Sequence, residues 1–217
     1  TPLLLAKNEG LTFDQRLAKR VLDLVVSIIA LVITSPVMLV IAIAIKAYDG
    51  GPVFFVQDRC TINGKVFKIH KFRSMIENAE KDGEVIPATD DDARITPVGK
   101  IIRKTRLDEL PQFFDILIGN MSVVGPRPER VEHVEKYVEE VPEFTYRMKV
   151  KGGLTGYAQI YGKYNTSAYD KLKLDLMYIQ NYSILLDLRL ILMTVKIMFI
   201  KDSTEGFEEI KPSEKKD

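Results

Sequence analysis

The sequence predicts a mostly helical α/β protein with membrane-associated helices. Three observations predict it. Residues 24–45 (LVVSIIALVITSPVMLVIAIAI) run for 22 positions without a charged side chain, and about 20 apolar residues suffice for a helix to cross a bilayer. Further helix candidates start at Pro97, Leu110, Glu132 and Asp170, the first with Val98, Ile101 and Ile102 at helical spacing. Strand signals are confined to Val53–Val56 and Val66–Phe72, either side of the hairpin dipeptide Asn63-Gly64.

Each element follows from local chemistry. Phe13 to Arg20 reads as a short helix ending in Lys19-Arg20. The apolar run comes next and is closed by Lys46 and the turn signal Asp49-Gly50-Gly51-Pro52. Ser35-Pro36 sits at its centre, and a proline inside a helix removes one hydrogen bond and crowds the preceding turn. One reading is a kinked helix that spans the bilayer, with serine and neighbouring groups satisfying the freed backbone. The other is a re-entrant helix-break-helix. Basic residues flank both ends, and the positive-inside tendency then keeps both ends in the cytoplasm. The run is too long for the apolar core of a signal peptide. Residues 77–94 are polar and loop-like, and Pro97 to Arg106 reads as a basic amphipathic helix. Leu110 to Ile118, Glu132 to Phe144 and Asp170 to Tyr182 are further helices, separated by the rigid Gly125-Pro126-Arg127-Pro128 loop and the glycine-punctuated stretch Gly152 to Gly162. Ile184 to Ile200 is apolar but interrupted by Asp187, Arg189, Thr194 and Lys196, which fits an interfacial helix or a core helix equally. No internal repeat is present.

Composition narrows the function. With 31 Lys+Arg against 30 Asp+Glu, the net charge of +1 excludes a strongly basic nucleic-acid binder. A single cysteine, Cys60, excludes an intrachain disulfide framework, and two histidines, His70 and His133, cannot alone build a His-rich metal centre. A mean hydropathy of −0.01 beside 28% charged residues means that the apolar residues are segregated.

The chemistry-bearing candidates lie between residues 71 and 128. Asp108-Glu109 closes the basic stretch Arg103-Lys104-Thr105-Arg106, and Pro111 redirects the backbone just after. Adjacent acids usually form a solvated face. Here the nearby cations favour ionised carboxylates and can gather phosphates. A carboxylate can act as a nucleophile through an acyl phosphate, and a second can serve as base or help hold a metal. Lys71 and Arg73 are either phosphate contacts or ordinary strand-end charges. Arg127, between two prolines, is either a preorganised anion contact or part of a plain rigid turn. Asp90-Asp91-Asp92 reads as a solvated loop or cap. The glycines at 152, 153, 156 and 162 match no dinucleotide or P-loop fingerprint.

Taken in order, Lys19-Arg-Val-Leu-Asp23, Ser35-Pro36, Gly51-Pro-Val-Phe-Phe55, Lys71-Phe-Arg-Ser-Met75, Leu107-Asp-Glu-Leu-Pro-Gln-Phe113, Gly119 to Pro128, Gly153-Leu-Thr-Gly156 and Asp175 to Asp187 resemble the monotopic phosphoglycosyl transferases, or bacterial sugar transferases. The resemblance runs from about residue 19 to 200. It implies transfer of a phosphosugar from a nucleotide diphosphate sugar, usually a UDP-sugar, to a polyprenol (undecaprenyl) phosphate in the lipid bilayer, with no nucleic acid. It implies Asp108 as nucleophile and Mg2+ contact, Glu109 as base or orienting group, and Lys71, Arg73, Arg103, Arg106 and Arg127 as substrate-binding cations. It implies a re-entrant membrane segment broken at Ser35-Pro36, at the bacterial inner (cytoplasmic) membrane with the catalytic part on the cytoplasmic face, and it leaves a homo-oligomer open. The organisation expected is a linker or upstream remnant at 1–18, a membrane segment at 19–48, a catalytic domain at 49–200 and a charged tail at 201–217. Gly152, Tyr157 and Tyr161-Gly-Lys163 depart from the family pattern, which often has proline, tryptophan and Asn-Gly-Arg there. Competing readings are a membrane-anchored nucleotide-sugar or polyprenyl-diphosphate hydrolase and a non-catalytic membrane adaptor.

Overall fold

A computed structural model describes residues 10–77, 79, 92–162 and 167–198. Asp90, Asp91, Lys163 and the 201–217 tail lie outside the described residues. The chain is mostly helical with two small two-stranded sheets.

Helix α1 spans Phe13–Asp49, 37 residues, and is long and apolar enough to cross a membrane. Its first turn carries a capping box: the Thr12 hydroxyl accepts from the Gln15 N–H, and the Gln15 side chain accepts from the Thr12 N–H. It ends at Gly50, whose left-handed φ of 73° suits glycine. The expected break at Ser35-Pro36 is corrected, because the helix is continuous through both residues. Pro36 has no N–H to offer the Val32 carbonyl. The Ser35 hydroxyl donates to that same carbonyl at 2.9 Å, and the Thr34 hydroxyl donates to Ala30 O at 2.7 Å. The separate short helix expected at 13–20 is likewise the first part of α1.

Polar groups dock α1 on the rest of the fold. Lys19 Nζ donates to Asp187 at 2.6 Å and to the Tyr178 hydroxyl at 3.0 Å. Arg20 donates to the carbonyls of Ile116 and Leu117 at 2.7 and 2.8 Å, at the end of a short helix where carbonyls lack full intrahelical pairing. Asp23 accepts from the Ser122 hydroxyl and the Val123 N–H, both at 2.9 Å. Further along α1, Ile41 and Ile45 pack with Phe72 and Ile102 in a small apolar cluster. The stretch between is largely exposed, with Val32 at 69% and Ile33 at 70%.

Strands β1 (Phe54–Cys60) and β2 (Val66–Phe72) pair antiparallel, from Phe54 opposite Phe72 to Cys60 opposite Val66. The turn between them holds Asn63 and Gly64 at left-handed φ of 56° and 72°. Then come α2 (Pro97–Lys104), a 3-10 turn (Leu107–Glu109) and α3 (Gln112–Ile118). Strands β3 (Ser122–Val124) and β4 (Gly153–Thr155) pair in parallel, enclosing α4 (Val131–Glu140) and a 3-10 stretch (Pro142–Lys149). Backbones touch here: a Cβ on Gly153 would lie 2.1 Å from Gly125 N, and one on Gly156 2.2 Å from Gly125 O. After α5 (Tyr157–Tyr161), helices α6 (Ala168–Gln180) and α7 (Ile184–Met198) complete the fold.

The main core gathers Phe67, Ile69, Ile116, Met121, Phe144, Leu172, Leu176 and Leu190. Helix α7 has a buried side and an open side. Asp187 and Leu190 are fully buried, while Leu185 (76% exposed) and Leu192 (70%) form an open apolar face.

Candidate active site

The dyad sits where the chain turns sharply. Arg106 adopts a left-handed φ of 58°, uncommon for a residue with a side chain. That turn sends the backbone from α2 into the 3-10 turn carrying Asp108 and Glu109. Pro111 then starts α3, which is pinned to β2: buried Asp115 accepts from the His70 N–H at 2.9 Å and pairs with His70 Nδ1 at 2.7 Å. Strand β2 in turn delivers Lys71, the residue after His70.

Two of the expected cations converge on Glu109. Lys71 Nζ donates to Glu109 Oε1 at 2.8 Å, and the Arg127 guanidinium donates to the same carboxylate. Burial opposes ionisation of Glu109, but the charges of Arg127 and Lys71 outweigh it and hold the carboxyl far below the usual 4.5. Glu109 in turn raises the Arg127 guanidinium, with burial in opposition. Burial draws the Lys71 ammonium down from 10.5, with Glu109 pulling the other way. Asp108 is half-buried and has no hydrogen bond or ion pair among the described residues. Burial pushes its carboxyl up from 3.8; Lys71 opposes this, Glu109 adds to it, and Arg103 and Arg106 oppose it more weakly.

The other expected residues fall in different places. Arg103 is half-buried and Arg106 exposed. Both act on Asp108 through charge, not contact. Arg73 stands apart. Its guanidinium makes a two-pronged pair with Asp49 at the end of α1 and is not in the Glu109 cluster. It is packed against Gly51, where a Cβ would lie 2.8 Å from Arg73 Nη1. His133 stays outside the cluster, on α4 beside Tyr137. Asp92 pairs locally with Arg94, as a loop acid does. The Gly152 N–H donates to Thr61 Oγ1 at 3.1 Å, a bond that proline could not make.

Sequence reading missed Arg59, Arg147 and Asp175. Arg59, on β1, lies close enough to feel Arg127 and Glu109, and burial brings its pKa down to about 10. Arg147 pairs with Asp175 at 2.7 Å in the interior. Each sits among other charges in the sequence, and only tertiary contact sets it apart.

No group of three or more His, Cys, Asp or Glu gathers as a metal cage among the described residues. The donor set suits a different arrangement. Magnesium commonly takes one or two protein carboxylates and completes its shell with substrate phosphates and water, and Asp108 offers an unpaired carboxylate for this.

An apolar anchoring helix joined to an ionised carboxylate between two cations, with a second carboxylate left unpaired, defines a site suited to anionic substrates near a lipid phase. Comparison with known proteins agrees. The family model described as bacterial sugar transferase matches residues 14–201, and the chain belongs to that family. It is 48% identical over 190 residues to a UDP-glucose:undecaprenyl-phosphate glucose-1-phosphate transferase of Klebsiella pneumoniae, covering 85% of this chain and 41% of that protein. It is 43% identical over 181 residues to a UDP-N-acetylgalactosamine-undecaprenyl-phosphate N-acetylgalactosaminephosphotransferase of Aeromonas hydrophila, covering 82% and 43%. It is also 37% identical over 187 residues to an uncharacterized sugar transferase of Bacillus subtilis, covering 86% and 90%. The chain thus spans about two fifths of the length of the first two relatives.

Proposed function

We propose that this chain transfers a phosphosugar from a UDP-sugar to undecaprenyl phosphate in the bacterial inner membrane, in two displacements at Asp108. The carrying observation is the asymmetry of the dyad: Glu109 is held ionised between Lys71 and Arg127, while Asp108 is unpaired. In the first displacement an Asp108 carboxylate oxygen attacks the β-phosphorus of the donor. An Asp108–phosphorus bond forms, the bond from that phosphorus to the bridging oxygen breaks, and UMP leaves with the electron pair. In the second, an oxygen of the lipid phosphate attacks the same phosphorus, the acyl-phosphate bond breaks, and the Asp108 carboxylate is regenerated. The products are UMP and a polyprenyl-diphosphate sugar.

The remaining groups have defined tasks. Arg127 and Lys71 balance the diphosphate charge. Glu109 is too acidic in this setting to take a proton efficiently, so its task is to orient those two cations. A phosphate dianion needs no base to attack. Asp108 would hold Mg2+ together with donor phosphates, and the metal would neutralise charge on the diphosphate.

In this reading α1 bends at Pro36 without breaking, so that residues 24–45 dip into the membrane and return to the cytoplasmic side, where nucleotide sugars are made. Ser35-Pro36 lies near the centre of the run, and basic residues flank both ends. The open apolar face of α7 would rest at the interface. The likeness to relatives that act with UDP-glucose or UDP-N-acetylgalactosamine supports a UDP-hexose donor. The test is a panel of UDP-sugars with undecaprenyl phosphate and magnesium, scoring UMP and the lipid product. UMP release that needs the lipid phosphate and yields the lipid-linked sugar supports transfer. Equal UMP release without the lipid establishes a hydrolase instead.

A further inference from the structure

The loop bearing Arg127 is held more tightly than a Gly-Pro-Arg-Pro turn requires. Four consecutive carbonyls each accept a hydrogen bond from elsewhere in the fold, two of them from β1. Pro126 O accepts from the Gly153 N–H of β4 at 2.9 Å, and Glu129 O from the Cys60 N–H of β1 at 2.9 Å. Between them, Arg127 O accepts from Arg147 Nη2 at 2.9 Å and Pro128 O from Arg59 Nη1 at 3.2 Å. Two of the four donors are guanidinium groups, a costly choice for merely closing a loop.

Arg147 is the better buried of the two, with 3% of its side chain exposed. Its Nε donates to Asp175 Oδ2 at 2.7 Å, and its plane lies over the Phe144 ring, 4.8 Å from the centroid. Asp175, on α6, is also buried, and its other oxygen has no partner among the described residues. Its one visible task is to hold Arg147. A second contact from the same helix, Lys171 to Glu129 at 2.8 Å, steadies the residue that follows the loop.

We propose that Arg147, oriented by Asp175, is a positioning residue for Arg127. One edge of its guanidinium is fixed by a helix in the interior, and the other fixes the backbone from which Arg127 reaches the dyad. This rests on the reading above, in which Arg127 meets the donor diphosphate. A planar fork suits the task because it serves two acceptors in fixed relative directions.

The experiment measures steady-state kinetics of the full chain in nanodiscs with UDP-glucose and undecaprenyl phosphate. It compares wild type, Arg127→Ala, the double variant Arg147→Met/Asp175→Leu, and the triple variant combining them. Replacing both members of a buried pair with apolar residues is often neutral for folding, so the double variant separates position from stability. The expected result is a donor KM raised about tenfold or more in Arg127→Ala and in the double variant. The acceptor KM should stay within about twofold, and the triple variant should be no worse than Arg127→Ala. A donor KM at the wild-type value in the double variant overturns the positioning role alone. So does an effect that adds in full to Arg127→Ala, or one that falls equally on both substrates. An unchanged donor KM in Arg127→Ala overturns both readings. If the double variant melts early, Arg147→Lys takes its place: it keeps the charge beside Asp175 but lacks the fork. A raised donor KM with an unchanged acceptor KM supports positioning, and an unchanged donor KM refutes it.

Discussion

Replacing Lys19 with Met should loosen α1 from the rest of the protein. Lys19 Nζ is bonded to Asp187 at 2.6 Å and to the Tyr178 hydroxyl at 3.0 Å, and it lies 5.4 Å from the centroid of the Tyr182 ring. Asp187 has no exposed side-chain surface, so the variant leaves a buried carboxylate with only the Tyr178 hydroxyl, 2.8 Å away. Removing one member of a buried pair costs about 3–5 kcal/mol. For a chain of this size each kcal/mol moves the melting temperature by roughly 2–4 °C, so a fall of roughly 6–20 °C is expected. The assay is circular dichroism of the protein in detergent, heated at a fixed rate. Lys19→Met/Asp187→Leu should recover most of the loss, because no uncompensated charge remains. A single variant melting within about 2 °C of wild type would refute the reasoning, as would a double variant no better than the single.

Other predictions separate neighbouring roles. Arg73→Met breaks the pair with Asp49, so it should lower the melting temperature and leave the donor KM unchanged. A raised donor KM would return Arg73 to the substrate. Replacing Ser35 and Pro36 with Leu should straighten the apolar run, shift the chain toward a spanning topology and reduce transfer. Impermeant labelling of single cysteines near positions 10 and 60, in a Cys60-free background, reads this out. Opposite-side labelling of the unmodified sequence would rule out the hairpin. The stability difference between wild type and Glu109→Gln should be full above pH 4.5, since the folded carboxyl sits below its ordinary value, and should shrink as pH falls toward that lower value. A gap that widens on acidification would contradict the ion-pair geometry.

Much of this was legible in the sequence, and the exceptions have physical reasons. The hairpin was marked by Asn63-Gly64, whose left-handed conformations the structure retains. β1 ran on to Cys60 because the polar residues Gln57, Asp58 and Arg59 hid its alternation. β3 and β4 went unseen. Each has three residues, and β3 is buried on both faces, so no period of two could show. At Pro36 the backbone rule alone implies a break, but the Ser35 hydroxyl supplies a donor to the Val32 carbonyl that the proline cannot. At the site, Asp108, Glu109, Lys71 and Arg127 stood out as cations and acids in one family-like order. Arg59, Arg147 and Asp175 did not, because their meaning lies in carbonyls and partners distant in sequence.

That Asp108 carries the phosphosugar is tested most directly by intact-mass analysis of the chain mixed with magnesium and the UDP-sugar that the donor panel identifies, in the absence of lipid phosphate. The expected result is an adduct with the mass of that sugar's 1-phosphate less one water. It should map to the peptide containing Asp108, disappear on adding undecaprenyl phosphate, and never form in Asp108→Asn. Full turnover by Asp108→Asn, or an adduct mapping to another residue, would contradict it.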